Sequence, residues 1–541
     1  MEVGIDFGTT FSTIAFSSEG AKGCLPLNGS IFIETQVFVY ESSNLISIGK
    51  EAGKALRDGV NGRLYVNPKR WVGVSATNVE DYKRRLKPEY IVTVDQTGRV
   101  LLGGIGRGQN RFLSVTDIIV LFLRAMITEV EQFTSMRVSG AVVTVPAEYN
   151  SYKRAFIVSA LRSLGIPVRS IINEPTAAAI YGLASSDQDD VLVSVFDFGG
   201  GTFDASFVRK KGDATGVIYS VGDNFLGGRD IDRAIADDLQ NKYPGQLDMT
   251  RLFLYAAAIK EDLSNDASIE EHLIGGKTGP ITVKFTRADL DAIVKPFAER
   301  ARKIFEEGAK KFSPDTSIAI MTGGSSALQV VRDTIAASRY IKSVIFNKDD
   351  FRCSVALGAK IRSDILMNKS QMQLVDSLTN TLSDEVVGFR PIVIFPKGSP
   401  IPASYTTTFT VPAGPIGYGI YEGEAVRSFL NELTFKTVYS KPTAGKGIVT
   451  VKYDLSIDGT LAITIDGNPQ RNLFTPPEVS ADINNYRYTS KQVENLGLSL
   501  SEYEKQFNNL YTQSITEINI RNNSGAFKEK EIVANYDRLF S

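Results

Sequence analysis

The sequence predicts an α/β protein with two similar halves, followed by an all-β unit and a short, partly helical C-terminal tail. Two observations predict the halves. The phrase VGIDFGTTFSTIAF at 3–16 recurs as VFDFGGGTFDASF at 195–207, and strand-like and helix-like segments alternate up to about residue 365. The all-β unit is predicted by a change after about residue 370, where helical periodicity gives way to short alternating runs.

The α/β elements follow from local patterns. NSYKRAFIVSALRSLG at 150–165 has apolar residues at helical spacing, and Gly165 stands where a helix should stop. VRSIINEPTAAAIYGLA at 168–184 indicates a strand, a turn and a helix, with Pro175 at the first helical position. The apolar spacing of 286–312 predicts another helix.

The later part of the chain has a different pattern. GIVTVKYDLSIDGTLAITI at 447–465 is two alternating runs around an Asp-Gly pair, which predicts a β-hairpin. The tail is polar and rich in Asn, with one amphipathic helix predicted at 499–515. The predicted domains are an α/β domain at 1–368 (lobes at about 1–183 and 184–368), a β-sandwich unit at 369–470 and a short C-terminal region at 471–541.

Composition excludes several kinds of site. The chain of 541 residues carries 60 Lys and Arg against 61 Asp and Glu, which argues against a basic nucleic-acid-binding surface over the whole protein. Cys24 and Cys353 are the two cysteines, too few for a disulfide framework. The single histidine, His272, lies in a polar run and is predicted to be on a surface loop. A metal should therefore be a hard cation bound by oxygen.

No membrane span or signal peptide is predicted. The most apolar helical stretch, 114–130, is interrupted by Asp117 and Arg124 and is too short to cross a bilayer. A strand-like run begins at Glu2, which leaves no room for a signal peptide.

The repeated turn has a chemical explanation. A glycine turn between two strands exposes several backbone N–H groups that bind phosphate oxygens, and threonine adds a hydroxyl donor. An Asp at the end of the first strand suits magnesium, which keeps several waters and takes few carboxylates. Two such turns in two similar halves suggest a duplication that clamps one nucleotide from both sides. The alternative is two unrelated glycine hairpins.

Two further glycine turns fit this interpretation, and two do not. AIMTGGSSALQVV at 319–331 places a glycine turn at a helix start, which is an anion site. VGDNFLGGRDID at 221–232 is a glycine turn with acids at a helix start, which could also be simple capping. HLIGGKTGP at 272–280 is rejected as a phosphate loop because Glu271 stands where that motif needs glycine. The spacing of GGIGRGQNR at 103–111 is wrong for a dinucleotide site.

Taken in order, these motifs resemble the heat shock protein 70 family and its wider actin and sugar-kinase superfamily. GIDFGTTFS, NEPTAAAIYG, FDFGGGTFD, GDNFLGGRDID and MTGGSS look like that family's nucleotide-binding domain, with its two ribonuclease-H-like halves. YGIYEGEAVRSFLNEL at 418–433 and VTVKYDLSIDGTLAITI at 449–465 resemble its β-sandwich domain. The resemblance implies ATP or ADP and Mg²⁺ as cofactors, and hydrolysis of ATP to ADP and phosphate.

The resemblance assigns roles by position. Asp6 and Asp197 would organise hydrated magnesium, and Lys69 in NPKRWVG matches the family's catalytic lysine. Glu174 and Asp204 match the acids that orient the attacking water, and Asp197 also counts among the catalytic residues. The phosphate- or nucleotide-binding residues would be Gly8, Thr9, Thr10, Gly199, Gly200, Gly201, Thr202, Gly227, Gly228, Lys260, Gly323, Gly324 and Ser325.

Departures from cellular members point to one branch. Only Lys260 remains of the adenosine clamp, the interdomain linker is reduced to QMQLVDSL, and the acidic tail is absent. NPKRWVGV, DYKRRLKPEY and FPKGSPIP are similar to the family's homologues in plant closteroviruses, most closely the ampelovirus versions. That branch implies a role in virion-tail assembly and cell-to-cell movement, in the host cytoplasm, plasmodesmata and virion. The implied partners are viral coat and other virion proteins and the host plasmodesmata or cytoskeleton, and RNA contact within the particle stays open.

Three interpretations of the function agree with parts of the sequence. Intact Lys69, Glu174, Asp197 and Asp204 favour an ATPase, whereas the reduced clamp and linker favour a nucleotide-binding structural protein with little turnover. A sugar or glycerol kinase would share the fold, but the β unit and the NEPTAAA phrase argue against it.

Overall fold

The described part of the chain includes both halves and the β unit. The structure is a computed structural model that describes residues 1–488, except 19–20, 42, 110, 184–189, 212–213, 224, 249–251, 313–316, 349–350, 352, 368–372, 387–389, 412–413, 441–446 and 457–458. The helix predicted at 499–515 lies outside the described residues.

The first half alternates strands and helices as the sequence predicts. Its strands are β1 (Glu2–Asp6), β2 (Phe11–Ser18), β3 (Ala21–Cys24), β4 (Ile33–Glu34), β5 (Gln36–Tyr40), β6 (Leu45–Ile48), β7 (Gly62–Val66), β8 (Val92–Val94), β9 (Val100–Leu102), β10 (Ile105–Arg107), β11 (Leu113–Ser114), β12 (Gly140–Val145) and β13 (Val168–Asn173). Its helices are α1 (Gly49–Arg57), α2 (Val79–Leu86), α3 (Val115–Thr134), α4 (Ser151–Ser163) and α5 (Glu174–Leu183).

The second half also alternates strands and helices. Its strands are β14 (Asp190–Phe198), β15 (Phe203–Lys211), β16 (Ala214–Asp223), β17 (Glu271–Gly276), β18 (Gly279–Lys284), β19 (Ser317–Thr322) and β20 (Ile341–Ile345). Its helices are α6 (Gly228–Lys242), α7 (Leu252–Asn265), α8 (Arg287–Phe312), α9 (Gln329–Ala336) and α10 (Ser354–Leu366).

The two central sheets have the same topology. The strand order is β13-β12-β1-β2-β3 in the first half and β20-β19-β14-β15-β16 in the second. In each, the strand before the repeated turn pairs antiparallel with the next strand and parallel with a strand that comes much later in the chain. The predicted duplication is therefore present in the fold, and the two repeated turns occupy equivalent places.

Helices α5 and α10 pack between the two sheets. A side chain at Gly358 of α10 would overlap the backbone of Ala177 in α5, so the helices can approach closely only with glycine there. A side chain at Gly4 of β1 would also overlap the backbone of α10, at Ala356 and Lys360. Apolar residues from both halves share this core.

Two further four-stranded sheets follow in the described part of the chain. The remaining strands, eight of which form these sheets, are β21 (Gln373–Ser377), β22 (Leu382–Val386), β23 (Arg390–Phe395), β24 (Pro400–Ile401), β25 (Ala403–Val411), β26 (Pro415–Glu422), β27 (Glu432–Ser440), β28 (Gly447–Leu455), β29 (Leu461–Ile465), β30 (Asn468–Pro469) and β31 (Arg487–Tyr488). The orders are β23-β22-β26-β27 and β25-β28-β29-β30, and the two sheets share one apolar core. The hairpin predicted at 447–465 is confirmed as β28 and β29.

Three strands connect this β unit to the rest of the protein. β21 pairs in parallel with β16 and so extends the sheet of the second half, and β24 pairs with β21. At the other end, β31 pairs in parallel with β6 of the first half. No local pattern in the sequence predicts this return of the chain to the first half.

The prediction for His272 was wrong. His272 lies in β17 and is buried, with its Nε2 3.1 Å from the backbone oxygen of Phe285. Its run alternates buried His272 and Ile274 with exposed neighbours, and the polar flanks hid that alternation. Because β17 pairs with β18, the rejected phosphate-loop candidate is a hairpin.

Among the described helices, none is long and apolar enough to cross a membrane.

Candidate functional site

The carboxylates predicted to organise magnesium occupy equivalent positions in the two halves. Asp6 ends β1 and lies opposite Thr144 of β12 in the sheet register, and Asp197 lies near the end of β14 opposite Thr322 of β19. The Thr144 hydroxyl donates a hydrogen bond of 3.1 Å to Asp6. Both acids therefore stand at the carboxyl ends of strands, where open α/β sheets bind ligands.

The predicted catalytic lysine is paired with a predicted catalytic acid. Lys69 lies in the 3-10 turn Pro68–Trp71, is buried, and places its Nζ 2.5 Å from Oε1 of Glu174. Glu174 is also buried and begins α5, directly after β13. The Tyr149 hydroxyl donates to the backbone oxygen of Lys69 at 3.2 Å and helps to fix the turn.

The site holds more negative than positive charge. Burial raises the pKa of Asp6 to about 7, with the charge of Glu174 adding to the shift and Lys69 opposing it. Burial also raises the pKa values of Asp197 and Asp204, again with Glu174 adding to both shifts. Buried carboxylates are stabilised by a nearby cation. Lys69 is one positive charge beside four carboxyl groups, those of Asp6, Glu174, Asp197 and Asp204. The positive charge of Mg²⁺ would offset the remaining negative charge.

A bound metal fits this donor set. Both carboxylate oxygens of Asp204 are buried and have no hydrogen-bond partner within the described residues. In that same part of the chain, no group of three or more acidic, histidine or cysteine side chains is arranged to hold a metal directly. Contact through water needs only one or two carboxylates, and Asp6 and Asp197 would supply them.

The pH dependence of stability is a test of this charge balance. In the absence of magnesium and nucleotide, we expect the free energy of unfolding to fall as the pH rises from about 5 to about 7. Folded Asp6 keeps its proton up to a pKa of about 7, whereas in the unfolded chain its pKa is near 3.8. The folded state thus binds more protons in this window, so stability is lost as they leave. Urea unfolding with chelator and with Mg²⁺ measures the slope, which Mg²⁺ should reduce.

Two neutral replacements, a test variant in the site and a control outside it, show whether the slope comes from Asp6. Asp6→Asn removes the titrating group and should flatten part of the slope. Glu80→Gln changes an exposed carboxylate outside the site and should not. A slope that is the same in Asp6→Asn and in the parent would contradict the assignment.

The two repeated turns contact each other. A side chain at Gly200 would overlap the Oγ1 of Thr10, and one at Gly201 would lie 2.8 Å from Cγ2 of Thr9. Within the turns, Gly8 donates to Oγ of Ser12 and Gly199 donates to the backbone oxygen of Thr202. The Oγ1 of Thr10 is buried with no partner in the described chain. The predicted phosphate-binding residues of both halves are therefore brought together.

The other two glycine turns join the same cluster. A side chain at Gly227 would lie 2.5 Å from the backbone nitrogen of Gly201. Gly323 has φ of 80°, which favours glycine, and a side chain there would overlap Oδ1 of Asp197. Gly324 begins the 3-10 turn that follows. Ser325 of that turn donates to the backbone oxygen of Gly199 at 3.1 Å.

Lys260 lies beside these turns on α7. Its Nζ is 2.5 Å from Oδ1 of Asp232 on α6 and donates to the backbone oxygen of Gly228 at 3.1 Å. Lys260, the predicted remnant of the adenosine clamp, thus contacts the glycine turn at the start of α6.

Two arginines that connect the two halves beside the glycine turns were not predicted. Arg70 donates to the backbone oxygen of Gly201 at 3.1 Å and lies 3.4 Å from Asp230 of α6. The Cζ of Arg229 lies 4.0 Å from the ring centroid of Phe253. When the side-chain amide of Asn67 is oriented so that both its oxygen and its nitrogen are hydrogen-bonded, the oxygen accepts from Arg229. The only sequence signals were an arginine beside Lys69 and another directly after the glycine turn at 227–228.

Comparison with known proteins gives the family. The model of the family described as Hsp70 protein matches residues 2–466. This chain belongs to the Hsp70 family. It is 51% identical over 536 residues, covering 99% of this chain and 98% of the relative, to "Movement protein Hsp70h" of Grapevine leafroll-associated virus 3 (isolate United States/NY1).

More distant relatives include viral and cellular members of the Hsp70 family. "Movement protein Hsp70h" of Lettuce infectious yellows virus is 31% identical over 88% of this chain and 86% of its own length. "Chaperone protein dnaK" of Thalassiosira pseudonana is 28% identical over 86% of this chain and 80% of its own length. The predicted resemblance to the plant-virus branch of the family is confirmed. The individual site residues and the domain boundaries stay predictions.

Proposed function

We propose that this protein binds Mg·ATP between its two halves, hydrolyses it, and acts as a chaperone-like protein in virus movement and virion-tail assembly. The observation that carries the ATPase proposal is the buried pair of Lys69 and Glu174 beside Asp6, Asp197 and Asp204. The movement role rests on relatives named as movement proteins that share nearly the full length of this chain.

The chain's own groups suit phosphoryl transfer to water. ATP supplies the phosphoryl group when it is bound, and magnesium neutralises its charge. Lys69 would place a positive charge against the transferred phosphate, and the backbone N–H groups of the glycine turns would hold phosphate oxygens. Asp204 and Glu174 would orient the water, and Asp204 would accept its proton. Burial raises the pKa of Asp204, with Glu148 and Asp197 adding to the shift, and a raised pKa makes the carboxylate a stronger base.

The test is ATP turnover by the purified protein, with nucleotide binding measured on the same samples. We expect magnesium-dependent release of phosphate, and we expect Asp204→Asn to reduce it by about 10²-fold or more, a typical contribution of a general base, while binding persists. Glu80→Gln, an exposed carboxylate change, is the control and should keep the parental rate. Binding without turnover in the parent would contradict the ATPase proposal.

The second candidate is a nucleotide-binding structural protein with little turnover. It is favoured by hydrogen bonds that the proposed phosphate-binding residues make directly to one another, such as the one from Ser325 to Gly199. The hydrogen bond from Arg70 to Gly201 also favours it. In that case nucleotide would stabilise the closed cleft and turnover would be slow. Binding of nucleotide that raises the melting temperature without phosphate release would select this candidate.

The cellular roles belong to the same proposal. We infer that the protein acts in the host cytoplasm, at plasmodesmata and in the virion, with viral coat and other virion proteins and the plasmodesmata or cytoskeleton as partners. The support is the movement-protein name of the relatives. Incorporation of the Asp204→Asn protein into particles, compared with the parent, tests whether assembly depends on turnover.

A further inference from the structure

Helix α3 carries buried charged side chains that bind the end of the described chain. Asp117 accepts hydrogen bonds from the backbone nitrogen of Ser480 at 2.8 Å and from its hydroxyl at 2.6 Å. Arg124 donates to the backbone oxygens of Ile483 at 3.3 Å and of Tyr486 at 2.6 Å. These two side chains are the polar interruptions of the apolar stretch 114–130, and their partners lie more than 350 residues away in the chain.

A third buried charge completes the set. Glu129 accepts a hydrogen bond of 2.5 Å from the Tyr488 hydroxyl, and both groups are buried. Buried charged groups are costly unless they are paired. Because all three α3 side chains contact residues 480–488, the surface of the first half is suited to this segment. We call residues 480–488 the strap.

Apolar and backbone contacts hold the strap as well. Ile483, Tyr486 and Tyr488 are buried in the apolar core of the first half. Arg487 and Tyr488 form β31, which pairs with Leu45 and Ile46 of β6. The strap therefore extends the sheet β10-β7-β5-β6 by one parallel strand, and its removal would expose both core and sheet edge.

The β unit between β21 and the strap also contacts the first half. Glu432 of β27 accepts from Asn150 at 2.6 Å and pairs with Lys153 of α4 at 2.8 Å. Tyr152 of α4 stacks on Phe474, with 4.0 Å between the ring centroids. Since β21 joins the sheet of the second half, the β unit is attached to both halves at its two ends.

We propose that the strap is an intramolecular docking segment that keeps the β unit seated on the first half whichever nucleotide is bound. A nucleotide can shift a conformational equilibrium only by its difference in affinity for the two states. Release of the β unit would require that the strap strand separate from β6 and that Asp117, Arg124 and Glu129 lose their partners. The nucleotide site would then act on the position of the two halves rather than on release of the β unit.

The test measures the position of the β unit in the full-length protein. Spin labels are placed at Ser163→Cys in α4 and Thr408→Cys in β25, both exposed positions, with Cys24 replaced by serine and Cys353 left buried. We expect one narrow distance distribution without nucleotide, with ADP and with ATP. A second, longer population in any of these states of the parent would overturn the proposal.

Strap variants make the same test specific. Ile483→Asp places a charge in the buried core contact, and we expect it to lengthen the label distance and to raise amide exchange in residues 480–488 at least about tenfold. Asn485→Asp adds the same charge at an exposed position of the 3-10 turn Ala481–Asn485, which also contains Ile483. It should leave the label distance and the amide exchange unchanged.

Two outcomes of these variants oppose the proposal. Identical behaviour of Ile483→Asp and Asn485→Asp would overturn it. If Ile483→Asp does not fold, Tyr488→Phe removes only the hydroxyl that bonds Glu129 and should still raise exchange in residues 480–488, and unchanged exchange would count against the strap. Neither readout involves ATP turnover, so failure of this proposal and failure of the ATPase proposal are distinguishable.

Discussion

Replacing Lys69 by methionine is expected to lower both ATP turnover and stability. Turnover should fall about 10²-fold or more, because a buried positive charge that would stabilise the transferred phosphate is lost. The free energy of unfolding should fall by about 3–5 kcal/mol, because Glu174 is left buried without its partner. Single-turnover hydrolysis and urea unfolding measure the two effects separately.

The double variant separates chemistry from structure. In Lys69→Met with Glu174→Gln the buried ion pair is replaced by neutral groups of similar size, which is often nearly neutral for stability. We therefore expect stability to recover, while turnover stays low because both proposed catalytic groups are absent. Recovery of turnover together with stability would show that Lys69 acts only through folding. Lys83→Met removes an exposed pair with Glu80 and should change stability by about 0.5 kcal/mol or less.

Gly200→Ala should weaken nucleotide binding by about tenfold or more, which corresponds to about 1.4 kcal/mol. The added methyl group would overlap Oγ1 of Thr10, so the two repeated turns could not keep their present separation. Because this contact joins two halves that each keep their own core, the protein should still fold. Titration of the purified variant with MgADP measures the affinity.

The neighbouring glycine is a matched control. A methyl group at Gly199 would meet its nearest atoms at ordinary distances, 3.5 Å from the backbone oxygen of Thr202 and 3.8 Å from Oδ1 of Asp197. Gly199→Ala therefore adds a methyl group to the same proposed phosphate-binding turn without the overlap, and we expect it to lose less affinity than Gly200→Ala. Adding Thr10→Gly to Gly200→Ala removes the overlapping atoms and should restore part of the affinity. Equal losses in Gly199→Ala and Gly200→Ala would contradict the proposed contact between the turns.

The local phrases determined the elements that surround the site. Each repeated turn is a short-range pattern of strand, Asp, glycines and threonine, so its structure depends mainly on neighbouring residues. The recurrence of the phrase predicted the duplicated sheets, and the order of the glycine turns predicted the family. The same locality explains why Glu174 could be placed after β13 before any tertiary contact was known.

Other features were decided only by contacts between distant parts of the chain. Arg70 and Arg229 meet partners in the opposite half, and no periodicity encodes that approach. His272 faces a core because of its place in a strand, although it lies within a largely polar run.

The strap shows the same division between local and tertiary information. The sequence identified Asp117 and Arg124 as polar interruptions of an apolar helix, but their partners are residues 480–486. A parallel pair such as β6 and β31 carries no local turn signal, because its two strands are joined by most of the chain. The sequence by itself determined the repeated glycine turns and the order of the elements. Only the tertiary structure decided which buried charges are paired and where the C-terminal end of the β unit is attached.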